Sequence, residues 1–299
     1  MAGAGGLLDC LVIGGGAAGL TAALYLGRYR RRVMVADAGA SRLRLIPRSR
    51  NVMGFPDGIA GTELLERMRL HVSHYGVEMR QGCVSELRMT GGTFEAVVDG
   101  ATLRARTVLL ATGAIDVEPE VPGLAEGLKA GHVRYCPVCD GYETQGRRVA
   151  VLGREVHGLR ESLFVCGFEN QVTWLSLGSE GAVGAGGLEQ LRARDVRVVG
   201  GQPRAIRCEP DRGIVVDMPG GEVLEFDVLY PALGMRHASG LATALGARAQ
   251  EDGQLEVDDH LRTTVPGLYA AGDVAAGLNQ ISVAAGHAAI AATAIHNSL

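Results

Sequence analysis

The pattern of apolar and polar positions near the start of the chain predicts a strand, a glycine loop, a helix and a second strand. The apolar run CLVI, residues 10–13, precedes a group of glycines, and LTAALYLGRY, residues 20–29, has the apolar spacing of a helix. The next apolar run, RVMVAD, occupies residues 32–37 and ends in an acid. Strands and helices that alternate in this way are typical of a parallel α/β fold.

The glycines between the first strand and helix form a dinucleotide-binding fingerprint. Gly14, Gly16 and Gly19 have G-x-G-x-x-G spacing. The first allows a tight turn, the second lets a pyrophosphate approach the backbone, and the third allows close packing of helix and strand. Asp37 follows Gly14 by 23 residues, where an acid can hold a ribose hydroxyl. The combination predicts a nucleotide site, with the phosphates at the helix N-terminus.

The same register returns 139 residues later, in VAVLGREVHG, residues 149–158. Gly153 takes the place of Gly14 and Gly158 that of Gly19. The apolar run QVTWLS, residues 171–176, takes the place of RVMVAD. Two copies of one nucleotide-binding unit explain this repeat better than coincidence does.

The second copy lacks two chemical features of the first. Glu155 stands where Gly16 does, and Ser176 stands where Asp37 does. A glutamate adds a side chain and a negative charge at the pyrophosphate position. No arginine pair follows to hold a 2′-phosphate, because the chain continues SLGSEGAVGAGG, residues 176–187. We therefore expect a degenerate nucleotide site in the second copy.

A C-x-x-C motif precedes the second copy, in RYCPVCDGYE, residues 134–143. Cys136 and Cys139 at this spacing in an α/β context indicate a redox dithiol. A zinc knuckle needs a second ligand pair, which the sequence does not offer, so no metal is expected. Asp140 is a candidate acid–base group beside the thiolates, the alternative being a turn residue. The remaining cysteines are expected to be small buried hydrophobic residues: Cys10, Cys83, Cys166 and Cys208.

Composition and charge narrow the function classes. A chain of 299 residues is long enough for two domains, and a formal charge of −4 argues against binding to nucleic acid or membrane surfaces. The sequence contains no run of about 18 apolar residues and no basic segment before the first strand, so we expect a soluble, cytoplasmic protein. The basic run RYRRR, residues 28–32, is interpreted as a solvated helix end rather than a docking patch.

Several longer segments resemble the low-molecular-weight thioredoxin reductase family of FAD-dependent disulfide oxidoreductases, in the right order along nearly the whole chain. The segments are GGGAAG (14–19), NVMGFPDGIAGTELLERM (51–68), TVLLATGA (107–114), CPVCDG (136–141), GLYAAGD (267–273) and NQISVAAGHAA (279–289). The resemblance implies an α/β fold with two Rossmann-like, three-layer domains. An FAD domain, residues 1–116 and 240–299, is split by a central pyridine-nucleotide-type domain, residues 117–239.

The resemblance also implies site residues and a homodimer. The glycine loop and Asp37 would hold the ADP half of FAD, Asp273 the linker side of the flavin, and Gln280 the isoalloxazine edge. Cys139 would face the flavin, and Cys136 would exchange with substrate. The full set of expected FAD-binding residues is Gly14, Gly16, Ala17, Ala18, Gly19, Asp37, Ala38, Asn51, Ala111, Thr112, Gly113, Gly272, Asp273, Gln280 and Ile281.

The departures at Glu155 and Ser176 resemble one branch of that family, the NADPH-independent dithiol oxidases of natural-product biosynthesis. The leading hypothesis is therefore an oxidase that closes a disulfide in a small-molecule dithiol and passes electrons through FAD to oxygen. The alternative is a disulfide reductase fed by ferredoxin or by atypically bound NAD(P)H. A third hypothesis, a non-catalytic FAD-binding scaffold, does not explain the intact C-x-x-C.

Overall fold

The computed structural model describes residues 6–209 and 212–299, which form two compact units. The first unit runs to Ile115 and resumes at Arg236, and the second comprises Asp116–Met235. The helices are α1 (Ala17–Arg28), α2 (Gly61–Ser73), α3 (Leu124–Ala130), α4 (Pro137–Asp140), α5 (Glu155–Cys166), α6 (Gly184–Arg192), α7 (Gly240–Thr243) and α8 (Ile281–Ser298). The strands are β1 (Leu8–Ile13), β2 (Val33–Asp37), β3 (Glu78–Gln81), β4 (Val84–Thr90), β5 (Thr93–Val98), β6 (Ala101–Leu110), β7 (Ala114–Asp116), β8 (Arg148–Gly153), β9 (Gln171–Leu175), β10 (Arg197–Val199), β11 (Ala205–Glu209), β12 (Gly213–Asp217), β13 (Val223–Phe226), β14 (Val228–Ala232), β15 (Met235–His237) and β16 (Leu268–Ala270).

The first unit contains a mixed sheet with strand order β3-β2-β1-β6-β5-β4, and β16 also pairs with β6. The pairs among β3, β2, β1, β6 and β16 are parallel, and β4 and β5 add an antiparallel extension. Parallel strands buried on both faces read as continuous apolar runs, and every residue of VMVAD in β2 is buried. The carboxyl ends of β1, β2, β6 and β16 therefore lie at one edge of the sheet.

Helices α1 and α8 pack against each other in the first unit. Leu20 and Leu26 of α1 are fully buried, as are Ala288 and Ala291 of α8. Small residues allow the two helices to approach closely, and alanine is also the best helix former. This packing supports α1, whose first turn follows the glycine loop.

The second unit repeats the parallel arrangement, with strand order β10-β9-β8-β14, and adds the antiparallel sheet β11-β12-β13. Trp174 of β9 is fully buried and donates a hydrogen bond through Nε1 to Gly153 O at 2.8 Å. A Cβ on Gly158 would lie 2.1 Å from that Nε1, so the tryptophan requires a glycine there. The mixed α/β fold with two Rossmann-like units is confirmed.

One expectation about the cysteines is wrong. Cys10 is buried, but Cys83 is exposed, and Cys166 and Cys208 are half-buried. Cys83 lies in the short turn between β3 and β4. As for membranes, no helix in the described part of the chain is long and apolar enough to cross one.

Candidate functional site

The glycine loop after β1 is held by backbone contacts that exclude side chains at two positions. Gly14 has φ +110°, and a Cβ there would lie 2.2 Å from Ala111 O at the end of β6. A Cβ on Gly19 would lie 1.8 Å from Gly14 O. Because a methyl group cannot be accommodated at such distances, both glycines are structural requirements of the loop.

The position of Gly16 differs, because space remains around it. Gly16 is the N-cap of α1 and has an ordinary extended backbone, with φ −88° and ψ −164°. Among the described residues, only Ser41 Oγ, at 3.3 Å, comes within 4 Å of a Cβ built there. Ala17 and Ala18 then form the first turn of α1. A helix N-terminus with only the small Ser41 side chain close by, among the described residues, suits the pyrophosphate of a dinucleotide.

The carboxylate of Asp37 is oriented by three donors. Its Oδ1 accepts from Gly15 N at 3.3 Å and from Gly39 N at 3.0 Å, and its Oδ2 accepts from Arg69 Nη2 at 2.8 Å. A Cβ on Gly15 would lie 2.4 Å from Oδ2. Neither Gly15 nor Arg69 is among the site residues expected from the sequence, although the GGG run is a signal for Gly15. Ala38 follows Asp37 directly in the chain.

Residues at the end of β6 lie beside the same loop. Ala111 N donates to Ile13 O at 2.8 Å, which places Ala111 against β1. Thr112 Oγ1 donates to Ala238 O at 2.7 Å, and Gly113 O accepts from Ala238 N at 2.9 Å. The segment from Ala111 to Gly113 therefore closes one side of the glycine loop.

The segment after β16 meets the first turn of α1. A Cβ on Gly272 would lie 2.9 Å from Ala18 Cβ, and Gly272 has φ +76°. Asp273 follows it and pairs with Arg42 Nη1 at 2.8 Å. Arg42 is a further residue that the sequence analysis did not identify.

The start of α8 brings together two more expected residues. Gln280 is the N-cap of α8 and Ile281 its first residue. Asn51 Nδ2 donates to Gln280 Oε1 at 2.9 Å, although the two are 229 residues apart in sequence. The first unit thus places the glycine loop, Asp37 and residues 111–113 and 272–273 at the carboxyl ends of its parallel strands, where this class of fold binds dinucleotides. These residues fit FAD: Gly16 would leave room for its pyrophosphate, and the Asp37 carboxylate would hold its adenosine ribose.

The expected redox residues belong to the second unit. Cys136 and Cys139 are joined by a disulfide, with their Cα atoms 5.2 Å apart. Cys136 is the N-cap of α4, and Cys139 N donates to Cys136 O at 2.9 Å. A Cβ on Gly141 would lie 2.4 Å from Phe168 Cε2, so a glycine is required directly after Asp140. The short helix therefore holds both sulfurs within bonding distance.

Asp140 is partly buried and has two side-chain partners that the sequence analysis missed. Tyr230 donates its hydroxyl to Asp140 Oδ1 at 2.7 Å, and Arg134 Nη1 lies 3.6 Å from Oδ2. Burial raises the pKa of Asp140, while Tyr230 and Arg134 act in the opposite direction and the charge of Glu143 adds to the rise. An acid with a raised pKa is suited to proton exchange with a thiolate.

The loop after β8 in the second unit is occupied by the chain's own side chains. A Cβ on Gly153 would lie 2.4 Å from Ala232 O, which repeats the contact between Gly14 and Ala111. Glu155 has φ +49°, a left-handed conformation that costs a non-glycine residue about 1–2 kcal/mol. Its backbone N–H donates to Ser179 Oγ at 2.8 Å. A hydroxyl group thus satisfies a helix N-terminal amide that could otherwise bind phosphate.

Ser176 and its neighbours complete this loop. Ser179 Oγ donates to Ser176 O at 2.6 Å, and Ser176 Oγ donates to the Glu180 carboxylate. That hydrogen bond lowers the pKa of Glu180. Two acids, Glu155 and Glu180, therefore lie in the segments where the first unit presents Gly16 and Asp37.

The basic run at the end of α1 has partners within the first unit. Arg28 Nη1 donates to Tyr75 Oη at 2.7 Å. Arg31 donates through Nε to His296 Nδ1 at 2.9 Å and through Nη2 to His296 O at 2.7 Å. These contacts join the end of α1 and the residues after it to Tyr75, which follows α2, and to His296 in α8.

Comparison with known proteins agrees with this arrangement. The model of the pyridine nucleotide-disulphide oxidoreductase family matches residues 8–288. Thioredoxin reductase of Bacillus subtilis (strain 168) is 30% identical over 304 residues, covering 97% of this chain and 94% of that protein. The crystal structure of HlmI superposes with a TM-score of 0.91 at 32% identity, covering 98% of this chain and 93% of that one. For thioredoxin reductase of Streptococcus pyogenes MGAS5005 the TM-score is 0.89 at 28% identity, covering 97% of each chain.

These matches confirm the resemblance to thioredoxin reductases. They extend through both units and include the segment of the disulfide-bonded cysteines. The chain belongs to the pyridine nucleotide-disulphide oxidoreductase family and is an FAD-binding, flavin-dependent thiol–disulfide oxidoreductase similar to thioredoxin reductase.

Proposed function

We propose that the protein is a dithiol oxidase that closes a disulfide in a small-molecule dithiol, with oxygen as the final acceptor and without NADPH. The observation that carries this proposal is the occupied loop of the second unit, where the N–H of Glu155 already donates to Ser179 Oγ at 2.8 Å. The chain nevertheless keeps an intact pair, Cys136 and Cys139. A dithiol centre without a pyridine-nucleotide site requires another source of electrons, and a substrate dithiol is such a source.

The proposed exchange uses the disulfide as the immediate oxidant. A substrate thiolate attacks the Cys136 sulfur, the bond to Cys139 breaks, and Cys139 leaves as a thiolate. The second substrate thiolate then attacks the substrate sulfur of the mixed disulfide, and Cys136 leaves. Asp140 supplies or removes the proton at these sulfurs. The substrate loses two electrons and two protons, and both cysteines end reduced.

Return to the disulfide requires a two-electron acceptor. FAD, when bound, would supply such an acceptor, with oxygen as the proposed final oxidant. The net reaction is dithiol plus oxygen to disulfide plus hydrogen peroxide. Gly14, Gly16, Gly19 and Asp37 are the residues proposed to hold the ADP half of FAD.

Two further proposals, the substrate class and the assembly, follow from the family resemblance. The substrate class is a sulfur-containing natural product with two thiols, and the assembly is a homodimer. Light scattering after size-exclusion chromatography measures the assembly directly, and a mass of one chain would contradict the dimer.

Anaerobic mixing of the yellow protein with possible electron donors tests the proposed function. Dithiothreitol, as a small dithiol, is expected to bleach the flavin, and NADPH at micromolar concentration is not. Charge-assisted contacts to phosphate stabilise by roughly 1.5–3 kcal/mol each, so the loss of two weakens NADPH binding by two or more orders of magnitude. Subsequent addition of air is expected to restore the colour and to form one hydrogen peroxide per disulfide.

The positive control for this experiment is reduction with dithionite, which shows that the flavin is reducible in every sample. Rapid bleaching by micromolar NADPH would overturn the oxidase proposal in favour of the reductase alternative. Bleaching by reduced ferredoxin but not by the dithiol would favour the ferredoxin-fed reductase.

Glu155→Gly alone is expected to improve NADPH binding by less than about tenfold. The variant removes one like charge and relieves the φ of +49°, but the Ser179 hydroxyl, Ser176 and the Glu180 carboxylate remain in place. Equilibrium dialysis over a range of NADPH concentrations measures the affinity. It is carried out with the wild type, with Glu155→Gly, and with the double variant Glu155→Gly and Ser179→Ala. Micromolar affinity in the single variant would show that the glutamate alone closes the site.

A further inference from the structure

Tyr230 is a buried residue whose polar end has no role in the proposed chemistry. It lies in β14, is fully buried, and packs in the apolar cluster that includes Val149, Val151 and Trp174. A phenylalanine could fill the same space. A buried phenol needs a partner for its hydroxyl, and here the partner is Asp140 Oδ1 at 2.7 Å.

Arg134 reaches the other oxygen of the same carboxylate from a neighbouring segment. Arg134 N donates to Leu229 O at 3.0 Å, and Leu229 N donates to His132 O at 2.9 Å, so this segment runs beside β14. Arg134 Nη1 then lies 3.6 Å from Asp140 Oδ2, and its Nε donates to Gly131 O at 3.0 Å. Two side chains from adjacent extended segments thus hold one oxygen each.

We infer that Tyr230 and Arg134 are positioning residues that fix the Asp140 carboxyl group directly after Cys139, so that it exchanges protons with the redox sulfurs. This inference rests on the proposed acid–base role of Asp140 in the exchange. Each side chain contacts the Asp140 carboxylate. Their effect on the reaction passes through the orientation and ionisation of Asp140.

The charged groups around Asp140 determine the sign of the expected pH effect. Burial raises its pKa, the Tyr230 hydrogen bond and the Arg134 charge lower it, and Glu143 in the following turn raises it. In α5, which packs against α4, Glu161 is a partly buried acid whose own pKa is raised to about 7 by burial. Removal of the Tyr230 hydroxyl therefore moves the pKa of Asp140 further up, and the carboxylate forms only at higher pH.

The experiment is the pH profile of anaerobic flavin bleaching by dithiothreitol in the wild type and in Tyr230→Phe. The variant keeps the buried ring, so it is expected to fold and to bind FAD. Its profile midpoint is expected to move to higher pH, with a loss of rate below the midpoint. Arg134→Gln is expected to shift the profile in the same direction. Arg134→Lys is expected to shift it less, because it keeps the charge.

Two further variants make the outcome specific. Tyr269→Phe removes the hydroxyl of another buried tyrosine, whose partner is Ser298 Oγ at 3.4 Å in the first unit, and its profile is expected to match the wild type. Asp140→Asn is expected to lose about 100-fold or more in rate, as for a general acid–base group. A Tyr230→Phe profile that superimposes on the wild type, with Asp140→Asn inactive, would overturn the positioning role alone. Full activity in Asp140→Asn would instead overturn the acid–base role on which this inference rests.

Discussion

Cys139→Ser is expected to reduce turnover to the uncatalysed background. Cys136 and Cys139 form a disulfide at the start of α4, and a serine hydroxyl cannot form that bond. Without the disulfide, the substrate dithiol has no disulfide sulfur to attack, so the loss of turnover is complete rather than partial. Cys136→Ser is expected to be inactive for the same reason. Measurement of peroxide formation with dithiothreitol gives the turnover of each variant.

The two variants are expected to differ in their absorption spectra. The resemblance assigns Cys139 as the sulfur that exchanges electrons with FAD. Cys136→Ser leaves the Cys139 thiolate as a donor to oxidised flavin, which is expected to produce a long-wavelength charge-transfer band. Cys139→Ser is expected to show no such band.

Cys166→Ser serves as the matched control for this pair. Cys166 also lies in the second unit, but it is a free, half-buried cysteine. Burial raises its pKa, so its loss is expected to change neither turnover nor the spectrum. Identical spectra in the Cys136 and Cys139 variants would contradict the assignment of the flavin-facing sulfur. Full activity in either variant would contradict the exchange mechanism itself.

The strand–loop–helix parts of both units could be predicted because their signals are local. Gly14 and Gly19 are required by backbone contacts within one supersecondary unit, and the apolar runs of β1 and β2 report burial on both sheet faces. The repeat at 139 residues also follows from local patterns, and the structure shows the same backbone contact at Gly153 as at Gly14.

The partners that orient the site residues could not be predicted, because they come from distant parts of the chain. Arg69 is 32 residues from Asp37, and Tyr230 is 90 residues from Asp140. An arginine on α2 or a tyrosine in a buried strand has many ordinary roles, and only the fold brings each beside a carboxylate. The repeat also shows that Glu155 takes the place of Gly16 in the second copy. It does not show that Ser179, 24 residues away, accepts a hydrogen bond from the Glu155 amide.

The two glycine loops differ at one position in a way that predicts a large effect on FAD binding. In the first unit, Gly16 is open toward the helix N-terminus, and in the second, Glu155 stands at the corresponding place. If the glutamate accounts for part of the proposed loss of nucleotide binding in the second unit, the same substitution in the first unit must weaken FAD binding. Gly16→Glu is therefore expected to yield a folded, colourless protein.

The size of this effect follows from charge and geometry. Two like charges about 4 Å apart repel by about 4 kcal/mol at an effective dielectric of 20, which corresponds to nearly three orders of magnitude in affinity. Solvent exposure reduces this value, so FAD affinity is expected to fall by about 100-fold or more. The apoprotein is expected to fold, because φ −88° and ψ −164° suit any residue and only Ser41 Oγ, among the described residues, comes within 4 Å of a Cβ.

FAD content per chain after purification, and FAD titration of the apoprotein, measure the result without reference to activity. Gly16→Gln has nearly the same size without the charge, so its FAD content separates steric exclusion from repulsion and is expected to lie between those of Gly16→Glu and the wild type. Circular dichroism of the three apoproteins is expected to coincide, which excludes misfolding as the cause. A Gly16→Glu protein that purifies yellow, with one FAD per chain, would show that Gly16 does not border the pyrophosphate, and it would remove the same explanation for Glu155 in the second unit.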